Sequence, residues 1–157
     1  MRKLLLVILV LFNFTCAAQN GGEYTFECEC MGVEADGSET ILAWGNGKNR
    51  FDAVEQAKKN ALLDVIFKGI NKGRGDCSKR PLLGEVNAKS KYESYFNKFF
   101  ADDGPYKEFV GSEDERLGDK LDRDKQKGRK SRSMSVVVRV ERAKLKDQLV
   151  RDNILKQ

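Results

Sequence analysis

The stretch GNGKNRFDAVEQAKKNALLDVIFK, residues 45–68, decides the fold of this chain. Its apolar side chains recur at helical spacing and predict an amphipathic helix from about Arg50 to Lys68. Ala53, Ala57 and Ala61 recur at every fourth residue, and such small side chains allow a helix to approach a sheet closely. The Gly-rich turn that precedes the helix, residues 45–47, is expected to end a strand.

Strand patterns lie on both sides of this helix. Residues 24–33 alternate between apolar and polar side chains, which predicts a half-buried strand. Residues 35–38 contain an Asp-Gly turn signal, and residues 40–44 resume an extended pattern, so we expect a β-hairpin. Residues 133–140 carry the strongest strand pattern of the chain, because the alternate residues Met134, Val136, Val138 and Val140 share one face.

The remaining segments complete a small α+β domain. We expect a loop at 71–85, a second helix at 87–100 with an aromatic stripe, a short strand at 106–110 and a last helix at 143–155. The order β-β-α-α-β-β-α predicts an antiparallel sheet of about four strands with helices packed on one face. Charged residues dominate at about 112–132, which predicts a flexible arm.

The first 18 residues have the pattern of a bacterial signal peptide. A positive start is followed by an apolar run at 4–12, which is shorter than the ~20 residues that span a bilayer. Small residues at Cys16 and Ala18 predict cleavage after Ala18, which leaves a single domain at 19–157. Lipidation of Cys16 is the alternative, but the residues before it match a lipoprotein signal poorly. We therefore expect an exported protein, periplasmic or associated with the outer membrane.

Three cysteines remain beyond the leader, and export makes a disulfide plausible. Cys28 and Cys30 lie two residues apart on a predicted strand, so both side chains point to the same face and bridging between them is disfavoured. We expect either Cys28 or Cys30 to pair with Cys77. The cysteine left over is expected to be a small buried apolar residue.

Composition narrows the classes of function. The chain of 157 residues has no His, which removes Ser-His-Asp and Cys-His catalysis and most zinc sites. Its net charge is +5, but acidic and basic residues alternate closely, which favours solubility over nucleic-acid binding. We expect neither a metal nor a cofactor, and we expect a protein that is not an enzyme.

Two segments are candidate partner surfaces. One is the turn Gly45, Asn46 and Gly47, whose alternative interpretation is a tight turn that leads into a helix. It begins like a dinucleotide fingerprint, but Arg50 stands where the third Gly belongs. The other is the basic run Lys125, Lys127, Arg129, Lys130 and Arg132, which could contact anionic lipid headgroups or lipopolysaccharide. Its alternative interpretation is a solvated loop, because acidic residues precede it.

A few segments carry a family resemblance. They are Trp44-Gly45-Asn46-Gly47, the Ala-rich residues 52–62, the strand residues 136–140 and Leu145. This pattern resembles the small envelope domain shared by LPP20-type lipoproteins and the N-terminal domain of the flagellar protein FlgT. The resemblance implies a non-catalytic role in the cell envelope or in assembly, with an envelope component as partner. It transfers no active-site residue.

Two other functions stay open on the sequence. One is a small hydrolase or lyase that uses carboxylates alone, which would need acidic side chains gathered in an apolar cleft. The other is a thiol redox or metal-delivery module that uses Cys28, Cys30 and Cys77.

Overall fold

A computed structural model of the chain describes residues 27–114 and 132–156, except for the side chains of residues 112–114 and 132. The fold is α+β. Its elements in chain order are β1 (Glu29–Val33), β2 (Glu39–Gly47), α1 (Arg50–Phe67), β3 (Lys72–Gly73), α2 (Ala88–Lys91), α3 (Glu93–Phe99), a 3₁₀ helix (Pro105–Glu108), β4 (Val110–Asp114), β5 (Arg132–Val140) and α4 (Arg142–Arg151).

The described strands form one sheet of five strands in the order β3-β1-β2-β5-β4. Every neighbouring pair is antiparallel except β1 and β3, which run parallel. The sequence predicted about four antiparallel strands and missed β3, because a strand of two residues leaves no alternating pattern. The longest pairing joins β2 and β5 from Glu39 opposite Val140 to Gly47 opposite Arg132.

A short turn joins β1 to β2, as the Asp-Gly signal predicts. Gly37 has φ +80°, a left-handed conformation that favours glycine. The hydroxyl and backbone N–H of Ser38 both donate to Asp36 Oδ1, and Arg139 Nη2 donates to Asp36 Oδ2. These hydrogen bonds lower the pKa of Asp36 to about 2, and those from Ser38 have the largest effect. The turn is thereby tied to β5.

Helix α1 packs very closely on β2. Ala53, Ala57 and Ala61 are completely buried at this contact. A Cβ atom on Gly45 would lie 2.0 Å from the carbonyl oxygen of Ala53, and one on Gly47 would lie 2.3 Å from the Ala53 nitrogen. The prediction that residues 45–47 end the strand was wrong: β2 continues to Gly47, and its glycines leave room for the helix backbone.

One hydrophobic core lies between α1, the core-facing side of the sheet and the remaining helices. From the sheet it takes Ile41, Ala43, Val136, Val138 and Val140. The aromatic stripe of the second predicted helix also belongs to it, since Phe96 and Phe99 are 5% and 2% exposed. The ring of Phe96 lies 4.9 Å from that of Phe67 on α1. The stripe is therefore core and not an open ligand surface.

Some predicted boundaries needed correction. The helix expected at 87–100 is divided into α2 and α3 at Tyr92. The strand expected at 106–110 is a 3₁₀ helix with Pro105 in its first turn, and β4 begins only at Val110. Tyr106 and Phe109 are buried by this tight turn and not by strand alternation. Residues 112–114 of the predicted arm belong to β4 and Arg132 belongs to β5, while residues 115–131 lie outside the described part.

Because the backbones of α1 and β2 are in contact, one added methyl group between them should lower the stability of the fold strongly. We expect Gly45→Ala to lower the free energy of unfolding by about 3 kcal/mol, because the new Cβ overlaps the backbone of α1. Gly111→Ala is the matched control, since a Cβ on this strand residue meets no atom within 4 Å. Its effect should stay within about 0.5 kcal/mol. Urea unfolding measures both, and equal effects would contradict the proposed basis of the packing.

Candidate functional site

One residue of each predicted contact segment takes part in a strand pairing at one end of the sheet. Gly47 is paired with Arg132 across β2 and β5, and Asn46 with Ser133, whose hydroxyl donates to Asn46 Oδ1. We call residues 45–51 together with Arg132 the arm end of the sheet. The other basic residues of the predicted surface lie outside the described part: Lys125, Lys127, Arg129 and Lys130. The pairing brings the last residue of the basic run beside the Gly-rich end of β2.

The first turn of α1 is capped from within the chain. Asn49 Oδ1 accepts a hydrogen bond from the backbone N–H of Asp52, and Asn49 Nδ2 donates to Asp52 Oδ2, both at 3.0 Å. A capping side chain and a carboxylate thus occupy the positive end of the helix. Residues 45–50 are therefore the end of β2 followed by a capped helix entry, which differs from a phosphate-binding loop. Beside this cap, Phe51 is 71% exposed.

Cys30 and Cys77 form a disulfide with their Cα atoms 5.8 Å apart. This agrees with the prediction that Cys77 pairs with one of the two strand cysteines. Gly73 and Gly75 fit tightly around the bridge, since a Cβ on Gly73 would lie 2.2 Å from the carbonyl oxygen of Cys30. The bridge therefore attaches the loop that follows α1 to strand β1.

Cys28 is the free cysteine among the described residues, and it is buried. Its backbone N–H donates to Asp64 Oδ2 at 3.4 Å. Burial, followed by the negative charge of Asp64, raises the pKa of the Cys28 thiol far above its usual value. A thiol that resists ionisation is a poor nucleophile and a poor metal ligand, so Cys28 fits a packing role better than a redox role.

The described acidic side chains are mostly held by nearby basic groups. A hydrogen bond from Lys72 lowers the pKa of Glu27. Asp102 forms an ion pair with Lys59 at 3.0 Å. Within residues 27–114 and 132–156, no three His, Cys, Asp or Glu residues are grouped as metal ligands. The arrangement differs from the cleft of gathered acids with raised pKa values that a carboxylate enzyme needs.

A groove at the opposite end of the sheet was not predicted. It encloses about 850 Å³ between α4 with the residues that follow it and the loop at Pro81. Its apolar lining is half-buried and consists of Pro81, Leu82, Val150 and Leu155. Its charged lining consists of Arg142, Lys146, Arg151 and Lys156, with Asp147 as the acidic member. The groove thus combines an apolar floor with a predominantly basic rim.

A buried carboxylate lies behind this groove. The side chain of Glu39 is 3% exposed, and its Oε2 lies 3.8 Å from Arg142 Nη1. Glu39 Oε1 accepts a hydrogen bond from the backbone N–H of Ser78, and Arg142 Nη2 donates to the carbonyl oxygen of Arg80 at 2.7 Å. Glu39 Oε2 and Arg142 Nη1 have no hydrogen-bond partner among the described residues. These contacts hold the Arg142 guanidinium in the wall of the groove.

No protein-family model matches this chain, and no curated protein or solved structure matches it at a significant level. The resemblance to LPP20-type lipoproteins and the FlgT domain therefore stays a prediction from the sequence. Among the described residues, no helix is both long enough and apolar enough to cross a membrane.

The disulfide predicts that the oxidised protein is much more stable to unfolding than the reduced protein. It joins residues 47 positions apart, and closing a loop of this length stabilises the folded state by about 4 kcal/mol in the chain-entropy description. We expect a reducing agent to lower the free energy of unfolding of the mature chain by about this amount. Urea unfolding with and without the reductant measures it. The Cys30→Ser/Cys77→Ser variant should not respond to the reductant, and a wild-type protein that did not respond either would contradict the prediction.

Proposed function

We propose that the mature chain is an exported, non-catalytic protein that binds other components of the bacterial cell envelope and helps to assemble them. The observation that carries the proposal is the juxtaposition at the arm end, where Gly47, at the Gly-rich end of β2, is paired with Arg132, the last residue of the basic run. Gly47 and Arg132, which are far apart in the sequence, are thereby neighbours in the sheet.

The arm end has the chemistry of a contact surface. Asn46, Lys48, Arg50 and Phe51 are all exposed there. An exposed aromatic ring and arginine side chains are residue types enriched at protein interfaces. The basic run that ends at Arg132 adds positive charge, which suits the anionic phosphate and carboxylate groups of envelope lipids and lipopolysaccharide.

The disulfide supports the proposed export. The buried disulfide between Cys30 and Cys77 suits an oxidising compartment such as the periplasm. With the leader at residues 1–18, it favours a periplasmic or outer-membrane-associated protein. Cleavage after Ala18 is proposed in preference to a lipid anchor at Cys16.

The two other functions have less support. A redox or metal-delivery module needs accessible thiolates, but Cys28, Cys30 and Cys77 are 3%, 3% and 5% exposed and two of them are bonded to each other. A carboxylate hydrolase or lyase needs acids in one cleft, but the buried acids Glu39 and Asp64 are engaged by different partners on different elements.

The arm end is tested by replacing residues 115–131 with a short Gly-Ser linker. This change leaves β4 and β5 in place, so we expect an unchanged unfolding midpoint but loss of co-sedimentation with envelope vesicles prepared from the host. Lys125→Gln/Lys127→Gln should weaken binding, whereas Lys89→Gln/Lys98→Gln, at exposed positions on other elements, should not. Equal binding by the two double variants would argue against the arm end as the contact surface.

The leader and the thiols are tested together by intact mass. Protein from the native host should begin at Gln19, with one alkylatable thiol after unfolding and three after reduction. The thiol that reacts first should be Cys28, because the other two are bonded. A mass that begins at a lipid-modified Cys16 would replace the proposed cleavage with a membrane anchor, and three thiols without reduction would remove the disulfide.

A further inference from the structure

We infer that the groove between α4 and the Pro81 loop binds an acidic, amphipathic peptide segment of a partner protein. The groove lies at the end of the sheet where Glu39 is paired with Val140, opposite the arm end. It is therefore a second binding surface, and its assignment does not depend on the function proposed for the arm end.

Charge identifies the class of ligand. Arg142, Lys146, Arg151 and Lys156 line the groove, and Asp147 is the acidic residue among the lining positions. No ion pair joins Lys146 or Lys156 to another described residue, so both ammonium groups are available to a ligand. A ligand that carries carboxylates matches this surface in charge.

The first turn of α4 adds to the positive charge of the groove. The first turn of α4, which is fully described, has no acidic residue and contains Arg142 and Lys144. Positive charge near the N-terminus of a helix opposes the helix dipole, and the like charges of Arg142 and Lys146 are neighbours one turn apart. Glu141 at the N-cap of α4 and Glu39 beside Arg142 already offset part of this charge, whereas Lys146 forms no ion pair with a described residue. An acidic ligand would therefore neutralise Lys146 and relieve its repulsion with Arg142.

The shape of the groove favours a peptide over a membrane surface or a small anion. Leu82, Val150 and Leu155 are half-buried apolar side chains of the lining, which the apolar side chains of a peptide can cover and polar lipid headgroups cannot. A free phosphate or carboxylate would leave this floor in contact with water. The volume of about 850 Å³ is within the range of pockets that enclose sizeable ligands. A segment that alternates acidic and apolar side chains satisfies both the rim and the floor.

Glu39 acts as a positioning residue for this site. Its carboxylate, together with the carbonyl of Arg80, fixes the Arg142 guanidinium in the groove wall before any ligand arrives. A preformed wall reduces the ordering that binding would otherwise require.

The test uses a short fluorescent peptide of alternating Glu and Leu residues and a control peptide with Lys in place of Glu. Anisotropy should show saturable binding of the acidic peptide to the mature wild-type chain, weaker at high salt, and no binding of the basic peptide. Backbone amide NMR shifts on titration should cluster at Leu82, Lys146 and Val150. Lys146→Glu/Lys156→Glu should weaken binding about tenfold, while the matched Lys89→Glu/Lys98→Glu variant should stay within about twofold of wild type.

The apolar floor is tested separately by Val150→Ser, which should weaken binding without changing its salt dependence. All variants alter exposed or half-buried positions, and an unchanged unfolding midpoint confirms that each is folded. The proposal is overturned if the wild type does not bind the acidic peptide or if the groove variant binds it equally well. Binding only to anionic phospholipid vesicles, or self-association that the groove variant abolishes, would assign the groove to a membrane or to a second copy and would also overturn it.

Discussion

The backbone contact between α1 and β2 is the constraint on which the rest of the structure depends. It exists because Gly45 and Gly47 present no side chain to the helix and because Ala53, Ala57 and Ala61 present only methyl groups. Dispersion and burial are both favoured when two backbones come this close. The other elements are then arranged around α1. Tyr106 donates to Glu55 Oε2 at 2.7 Å, and the loop residues Leu82 and Leu83 donate their backbone N–H groups to Val65 and Ile66.

Periodic patterns predicted the parts of the fold that are long and amphipathic. Helix α1 begins at Arg50 as predicted and ends one residue before the predicted Lys68. On the predicted apolar face of β5, Val136, Val138 and Val140 are buried, whereas Met134 is only half-buried. The pattern failed where backbone and tertiary contacts decide the structure. Gly45 and Gly47 have the composition of a turn, yet β2 passes through them because the partner helix needs the space. The short apolar segment 106–110 was assigned to a strand, but its buried aromatic residues Tyr106 and Phe109 lie three positions apart, which is the period of the 3₁₀ helix that Pro105 begins.

The candidate sites were predictable to different degrees. Spacing alone narrowed the disulfide to two alternatives, and the parallel pairing of β1 with β3 is what places Cys30 beside Cys77. Residues 45–47 and the basic run were each visible in the sequence, but the adjacency of Gly47 and Arg132 depends on the register of β2 and β5. The groove was missed because its walls come from residues 81–82 and 142–156, which only the tertiary fold brings together. Its one local signal was a helix that begins with Arg142 and Lys144 and has no acidic residue in its first turn.

The β2–β5 pair separates the two proposed binding surfaces by the length of its strands. The arm end lies at Gly47 and Arg132, and the groove lies beyond Glu39 and Val140, at the other end of the same nine-residue strands. At the rise of an extended strand, the two ends are separated by about 26 Å. That distance is large enough for two ligands to be held at once without contact between them. A rigid spacer of this kind raises the effective concentration of one ligand near the other, so a single small domain would act as a bivalent adaptor.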